Sequence, residues 1–402
     1  MTDSHTTARR TTSRGFGRDW YLYWSAGTIS VLGDGIFVAA LPLLAAGLTR
    51  DPQLISGLTM AGTLPWLVFS LQAGAIADRS DGRRLLVGAQ GLQLLCVSLL
   101  GLYARWPAQG VWPLYGLAFA VGIGAVAARS AGQAMLPTVV PPEQLIDANS
   151  RLFTAESVAQ TFLGPAAGAA LFAAGRFLPF WVDAGTFALS MLLIVRMTAR
   201  PAAPPRPRRP IRTEVLVGLR WLARHRLLRT AVALVAVANF ANFMTTSTLV
   251  LFIGPHRYGL LLSTTALGGI AGALASRPLL ARIGGRRAVF GTITVAPLSM
   301  IAVAAVGPSL IAVGALTALS SACGTIWTVA AVSQRQRLVP ADLQARVASA
   351  SLMLAWGAQP LGALAGGLIA SYLGLQAPWL IGGAVRLAAA VLAIRALSLW
   401  ED

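Results

Sequence analysis

Four ionisable side chains stand inside long apolar runs of this 402-residue sequence: Asp34, Glu156, Asp183 and Arg386. A charge at mid-bilayer costs about 2.5–3.5 kcal/mol on insertion scales, so each one needs a reason. Asp34 lies between Gly33 and Gly35 and four residues after Ser30, which puts the two side chains on one helix face. A carboxyl there can carry a proton or meet a cationic substrate; the rival reading is a structural carboxylate capping a break in the helix. Glu156, four residues before Gln160, can share in proton coupling or pair with Arg129 or Arg151 near the inner membrane surface, and the pair is the expectation. Asp183 and Arg386 are expected to snorkel or to find structural partners.

Neutral polar groups fall in helical stripes. Asn239, Asn242 and Thr246 are spaced i, i+3 and i+7, and Ser321, Thr325 and Thr328 are spaced i, i+4 and i+7. Such stripes can line a wet cavity or serve as interhelical hydrogen bonds, each about 0.6 kcal/mol in one measured membrane protein. Trp66, Trp327 and Trp356 lie deep in their runs and could wall a pocket for a bulky amphiphile, or simply pack. Trp20, Trp24, Trp106, Trp112, Trp181 and Trp379 sit at the ends of runs and read as interfacial anchors. Enzyme chemistry has no purchase: there is no paired-acid metal motif, nucleophile elbow or phosphate loop, and His5, His225 and His256 form no cluster. Cys96 and Cys323 lie far apart in apolar runs, with no disulfide framework, zinc site or other metal site legible around them.

The elements that carry these residues are membrane spans. The chain is 56% apolar and only 11% charged, with a mean hydropathy of +0.67, whereas a soluble domain has roughly 25% charged residues. Runs near 20–48, 54–77, 85–103, 112–134, 151–174 and 179–197 precede a second set near 230–252, 259–281, 288–306, 309–333, 347–372 and 376–397. Each approaches the roughly 20 residues that one crossing needs. The expected architecture is therefore all-α, with twelve transmembrane helices in two pseudo-repeated six-helix bundles. Residues 1–19 are read as a cytoplasmic tail rather than a cleaved signal, 20–197 and 230–397 as the bundles, and 398–402 as a tail. Residues 198–229, with PAAPPRPRRP and an amphipathic stretch, are read as a cytoplasmic linker.

The net charge of +18 is carried by arginine alone, and its placement argues against nucleic acid as a partner. With the N-terminus inside, the outer loops hold only Arg50, Arg105, Arg176 and Arg257, as expected if both termini are cytoplasmic. The halves also repeat. Val140-Pro141-Pro142-Glu143 returns as Val339-Pro340-Ala341-Asp342, Gln160 falls on Gln359 at the same offset, and Asp81-Gly82-Arg83-Arg84 matches Gly284-Gly285-Arg286-Arg287. Two parallel repeats are what a transporter needs if one half rocks against the other around a midplane site.

The stretch GAIADRSDGRR, Gly74 to Arg84, resembles the loop between spans 2 and 3 of the major facilitator superfamily, with Gly74, Asp78, Arg79 and Arg83 matching; Asp81 replaces the second glycine. LGDGIF, Ala155-Glu156-Ser157 with Gly164-Pro165, and Gln336 to Gly367 resemble the branch of enterobactin-exporter-like and macrolide-efflux proteins. The resemblance implies that spans 1, 4, 7 and 10 line a central cavity. Candidate lining residues are Ser30, Trp66, Gln160, Asn239, Asn242, Thr246, Ser321, Thr325, Trp327, Trp356 and Gln359. It also implies a gating loop of Gly74, Asp78, Arg79, Asp81, Arg83 and Arg84, joined by Arg129, with Asp78 latched near residues 342–347. Its usual span-4 arginine is missing, Ala118 standing about there. The expectation is a multi-pass cell-membrane protein, monomeric and without cofactor, that exports a small amphiphilic compound against protons. A facilitator or importer, a lysophospholipid flippase, and a non-transporting sensor remain alternatives.

Overall fold

A computed structural model of the chain describes residues 16–106, 110–198, 211–340 and 343–398, and those residues form helices and no strand. The first half consists of α1 (Arg18–Ala46), α2 (Pro52–Arg79), α3 (Gly82–Arg105), α4 (Trp112–Val139), α5 (Leu145–Ser157), α6 (Gly164–Ala174) and α7 (Leu178–Val195). The linker contributes α8 (Ile211–Arg224). The second half holds α9 (Arg226–Thr246), α10 (Leu249–Ile253), α11 (Pro255–Ile283), α12 (Gly285–Val306), α13 (Leu310–Leu338), α14 (Gln344–Leu373) and α15 (Ala377–Leu397). A π-helical segment, Val158–Leu163, joins α5 to α6, so the three make one membrane crossing, and α9 with α10 make another. Eleven crossings are long and apolar enough by composition, and α2, packed between α4 and α14, completes twelve.

Local chemistry sets the helix ends. Asp51 caps α2 by accepting the Gln53 N–H at 2.7 Å, and Pro52 opens that helix with a φ already suited to it. Between α11 and α12 the turn is a single residue, Gly284, at φ 81°, a conformation that costs a side-chain-bearing residue dearly. The crossing expected to start near residue 151 begins at Leu145 instead, which sets Glu156 three turns into the helix. Pro165 has no N–H for the carbonyl one turn back, and the helix widens into its π turn immediately before it.

The bundle has two unlike ends. At the end poor in arginine, one buried apolar core runs through both halves, including Leu44, Ile55, Leu114 and Phe180 from the first and Val250, Leu261, Met300 and Trp379 from the second. At the arginine-rich end the cores are separate. One belongs to the first half (Trp20, Leu86, Met135, Ile194), one to the second (Leu227, Val289, Leu397), and a third joins Leu222 of α8 to Val339 at the end of α13 and Val347 of α14. Trp20 (1% exposed) and Trp379 (4%) are therefore core residues and not interfacial anchors, while Trp106 and Trp112 are exposed as expected. The outermost apolar side chains, such as Ile311 at 85% and Leu392 at 84%, face where lipid tails would lie.

The seam between halves is α2 against α14. Gln53 Nε2 donates to Ser371 Oγ at 2.8 Å, and Gly367 packs so closely on α2 that a Cβ would collide with the Ser56 side chain and sit 2.9 Å from the Pro52 carbonyl. Gly367→Val should therefore cost this closed form about 1–3 kcal/mol of overpacking and favour opening of the arginine-poor end. Spin labels at the exposed positions Trp112 and Tyr372, one on each half, should then report a longer distance than in the parent; an unchanged distance would contradict the seam.

Candidate functional site: a carboxylate on the first helix and the walls around it

Asp34 sits at the middle of α1, half-buried, between two glycines that let neighbouring helices close in. A Cβ on Gly35 would lie 2.8 Å from the Gln160 carbonyl of the π segment, and one on Gly33 would collide with Asp183 and Thr186 of α7. The carboxylate itself accepts from Gln93 Nε2 of α3 at 3.4 Å. Gln93 is fully buried, with its Oε1 lacking a partner among the described residues. Ser30 is buried on the same helix, one turn before Asp34.

Asp183 is 0% exposed and does not snorkel. Thr186 Oγ1 donates to its Oδ1 at 3.3 Å, its Oδ2 has no partner among the described residues, and it lies within electrostatic reach of Asp34. Beside it, Gln90 Nε2 donates to Ser190 Oγ at 2.8 Å, and Ser190 donates on to the Ala26 carbonyl at 2.9 Å. The interface of α1, α3 and α7 is thus a polar layer inside an apolar bundle. Sequence reasoning missed its two glutamines, although Gln90 and Gln93 at i and i+3 in an otherwise apolar span are the signal that would have found them.

Of the two expected partners of Glu156, the structure selects Arg129, whose Nη1 lies 3.0 Å from Oε2. Arg151 instead stacks its guanidinium over the Phe16 ring at 4.9 Å. On α1, the Tyr23 hydroxyl donates to the Gly132 carbonyl at 2.8 Å. Gln160 is exposed on the π turn and Gln359 is half-buried on α14.

The candidate walls divide. Trp66 and Trp356 meet edge to face across the two halves, their ring centroids 4.4 Å apart. Asn239 ties α9 to α14 by donating to the Ala355 carbonyl at 2.9 Å, whereas Asn242 is exposed and its carbonyl accepts from Thr246 at 2.9 Å. Ser321 and Thr325 face Gly269 of α11, so this stripe lies along the α11–α13 contact. Trp327 is buried beside a cavity of about 140 Å³ in the second half.

At the arginine-rich end, the residue that departs from the expected loop pattern has a structural job. Asp81 caps α3: its Oδ1 accepts the Arg83 N–H at 2.9 Å and the Arg84 N–H at 3.4 Å, and its Oδ2 lies 3.7 Å from Arg84 Nε. Arg83 donates through its guanidinium to the Val195 carbonyl at the end of α7. Gly74 is half-buried and Arg79 exposed in the last turns of α2. The expected latch falls on the Asp78 side chain and on residue 342, which lie outside the described residues; α8 packs where the latch would end, Gly218 against the Arg346 carbonyl.

A two-fold-repeated twelve-helix membrane bundle with a mid-membrane carboxylate and a seam at one end defines a transporter. Residues 18–401 match the family described as transmembrane secretion effector, and the chain belongs to that family, within the major facilitator superfamily of transporters; it is not an enzyme. It is 29% identical over 383 residues to a multidrug efflux pump, Tap, of Mycolicibacterium fortuitum, covering 88% of this chain and 91% of that one. It is 27% identical over 126 residues, 31% of each chain, to macrolide efflux protein A of Streptococcus pyogenes. Its fold is similar to that of a bacterial homologue of the iron transporter ferroportin in an inward-facing state (TM-score 0.73, 17% identity, 96% of this chain and 100% of that one). The nucleoside transporter NupG is also similar in fold (TM-score 0.66, 13% identity, 94% and 100%).

Loss of the Asp81 cap should lower stability by about 0.5–2 kcal/mol, while asparagine caps nearly as well. In purified protein, Asp81→Ala should melt earlier than the parent and Asp81→Asn close to it. If the two variants melt alike, the side-chain cap is not what holds the turn.

Proposed function

We propose that the protein is a secondary active exporter that moves a small amphiphilic compound, a drug, siderophore or other natural product, out of the cell in exchange for protons. It acts as a monomer in the cell membrane, with the arginine-rich end and both termini in the cytoplasm, and it needs the proton gradient but no cofactor. The observation that carries this reading is the unlike pair of ends: a shared core seals the halves at the arginine-poor end, and separate cores leave them independent at the other. In that orientation the conformation is open to the cytoplasm, the state in which an exporter loads. The names of the efflux relatives support the direction of transport.

Asp34 is the coupling acid in this scheme. Its partner Gln93 suits both protonation states, because a carboxamide can donate from Nε2 to a carboxylate or accept through Oε1 from a carboxylic acid. A proton entering from outside neutralises Asp34 and removes the cost of an ionised group at mid-membrane; its release to the cytoplasm restores the charge and readies the site for substrate. Glu156, held by Arg129 toward the cytoplasmic side, sets the field that the departing proton meets. The substrate lies between the halves, against Trp66 and Trp356, which part as the seam rocks.

The test is transport by purified protein in liposomes, with a macrolide and a fluorescent cationic dye as probes. Addition of substrate should dissipate an imposed pH gradient, and Asp34→Asn should abolish that dissipation while substrate binding persists. Uptake indifferent to the gradient would replace this reading with a facilitator.

A further inference from the structure

The second half holds a charge for which no ionic partner is seen among the described residues. Arg386 lies at the centre of α15, roughly 14 Å from either end at 1.5 Å per residue, too deep for its head group to reach the membrane surface. Of the 14 acidic residues in the sequence, only Asp342 falls between residues 230 and 397, and it stands in the α13–α14 connection. In the first half Arg84 lies 3.7 Å from Asp81 and Arg129 lies 3.0 Å from Glu156. Arg386 makes one polar contact, Nη1 to the sulfur of Met300 at 3.2 Å, a weak acceptor that leaves the rest of the guanidinium fork unused.

That fork lines a partly open cavity of about 140 Å³ between α9, α12, α13 and α15. Asn239, Thr328 and Cys323 contribute polar atoms and Trp327 an aromatic wall, while Thr328 is exposed and marks the mouth. Gly324 leaves one wall bare: a Cβ there would have nothing within 4 Å. A half-buried cation at mid-membrane is costly, and a carboxylate is the group that a guanidinium engages with two parallel hydrogen bonds. Apolar cavities near 150 Å³ hold a benzene ring, so the volume fits one ring.

We propose that this cavity is a binding site for a small monocarboxylate of about the size of benzoate, its carboxylate on Arg386 and its body against Trp327. The site lies within one half, apart from the seam and from Asp34, so it stands whether or not the export reading does. Bound there, the anion completes the charge balance of the second half and fills the space between α9 and α13, two helices that must stay rigid relative to each other when the halves rock.

Equilibrium dialysis of radiolabelled benzoate against the full-length protein in detergent, with no gradient present, tests it. Binding should saturate, other small carboxylates should compete, and benzyl alcohol, chloride and inorganic phosphate should not. Arg386→Met should weaken binding by about tenfold or more. Gly324→Leu, whose Cβ would meet nothing within 4 Å on that wall, should weaken it likewise and does not depend on how the arginine variant folds. The proposal is overturned if binding is absent or unsaturable, if benzyl alcohol or phosphate competes as well as carboxylates do, or if Gly324→Leu binds benzoate like the parent.

Discussion

The shared apolar core at the arginine-poor end is the contact on which the rest of the molecule depends. Lipid tails are as apolar as leucine, so two helix bundles in a bilayer gain nothing from mere hydrophobicity when they associate. What holds them is close packing, and α2 and α14 achieve it with small residues: Gly367 admits Ser56, and Gly357 leaves room for Leu67, whose Cδ1 would stand 2.9 Å from a Cβ there. Such a seam is strong while closed and cheap to part, because parting it exposes surfaces that lipid or substrate can cover. The separate cores at the opposite end keep each half rigid during that motion. The halves also meet where α11 packs on α6, with Gly259 against Ala169.

The two halves are alike in backbone and opposite in interior charge. Asp34, Glu156 and Asp183 lie in the first, where glutamines, a threonine and one arginine meet them. In the second, the guanidinium of Arg386 meets the sulfur of Met300. A repeat preserved in its helices has therefore diverged in its polar interior, with interior carboxylates in one half and an interior guanidinium in the other. The Pro-kinked π turn before Gly164 lies against α1 beside Asp34, which couples the geometry of the fifth crossing to the carboxylate across a contact too tight to tolerate a methyl group.

Much of this was legible in the sequence because a membrane restricts what a chain can do. Twelve apolar runs, the arginine asymmetry and the half-chain repeat give the spans and their pairing, since each crossing must satisfy its own backbone. The Glu156 pair was legible as a choice between two arginines, and only the packing of Phe16 against Arg151 decides it. What hydropathy cannot give is which way a helix faces. Spacing allows Asp183 and Arg386 either to snorkel or to find structural partners; in the structure Asp183 is fully enclosed and Arg386 lines a cavity. The spacing of Ser321, Thr325 and Thr328 suits a wet cavity or interhelical hydrogen bonds; in the structure Ser321 and Thr325 lie against Gly269 while Thr328 lines the cavity. Helical spacing specifies a face, and only the neighbour decides what that face meets.

The equivalent turns of the two halves carry this argument furthest. Asp81 and Gly284 occupy the same position of the repeat, and each begins a helix that leads back into the membrane. In the second half the turn is made by backbone freedom, with Gly284 at φ 81°. In the first it is made by a side chain, with Asp81 in an extended conformation holding the N–H groups of Arg83 and Arg84. The carboxylate does more than cap, because it fixes two arginines at the membrane surface, one of which reaches the end of α7. A glycine there would make the same bend and leave those cations loose. The departure from the usual motif thus converts a flexible turn into a rigid corner that binds α2, α3 and α7 together, and a half that must move as one body gains from that rigidity.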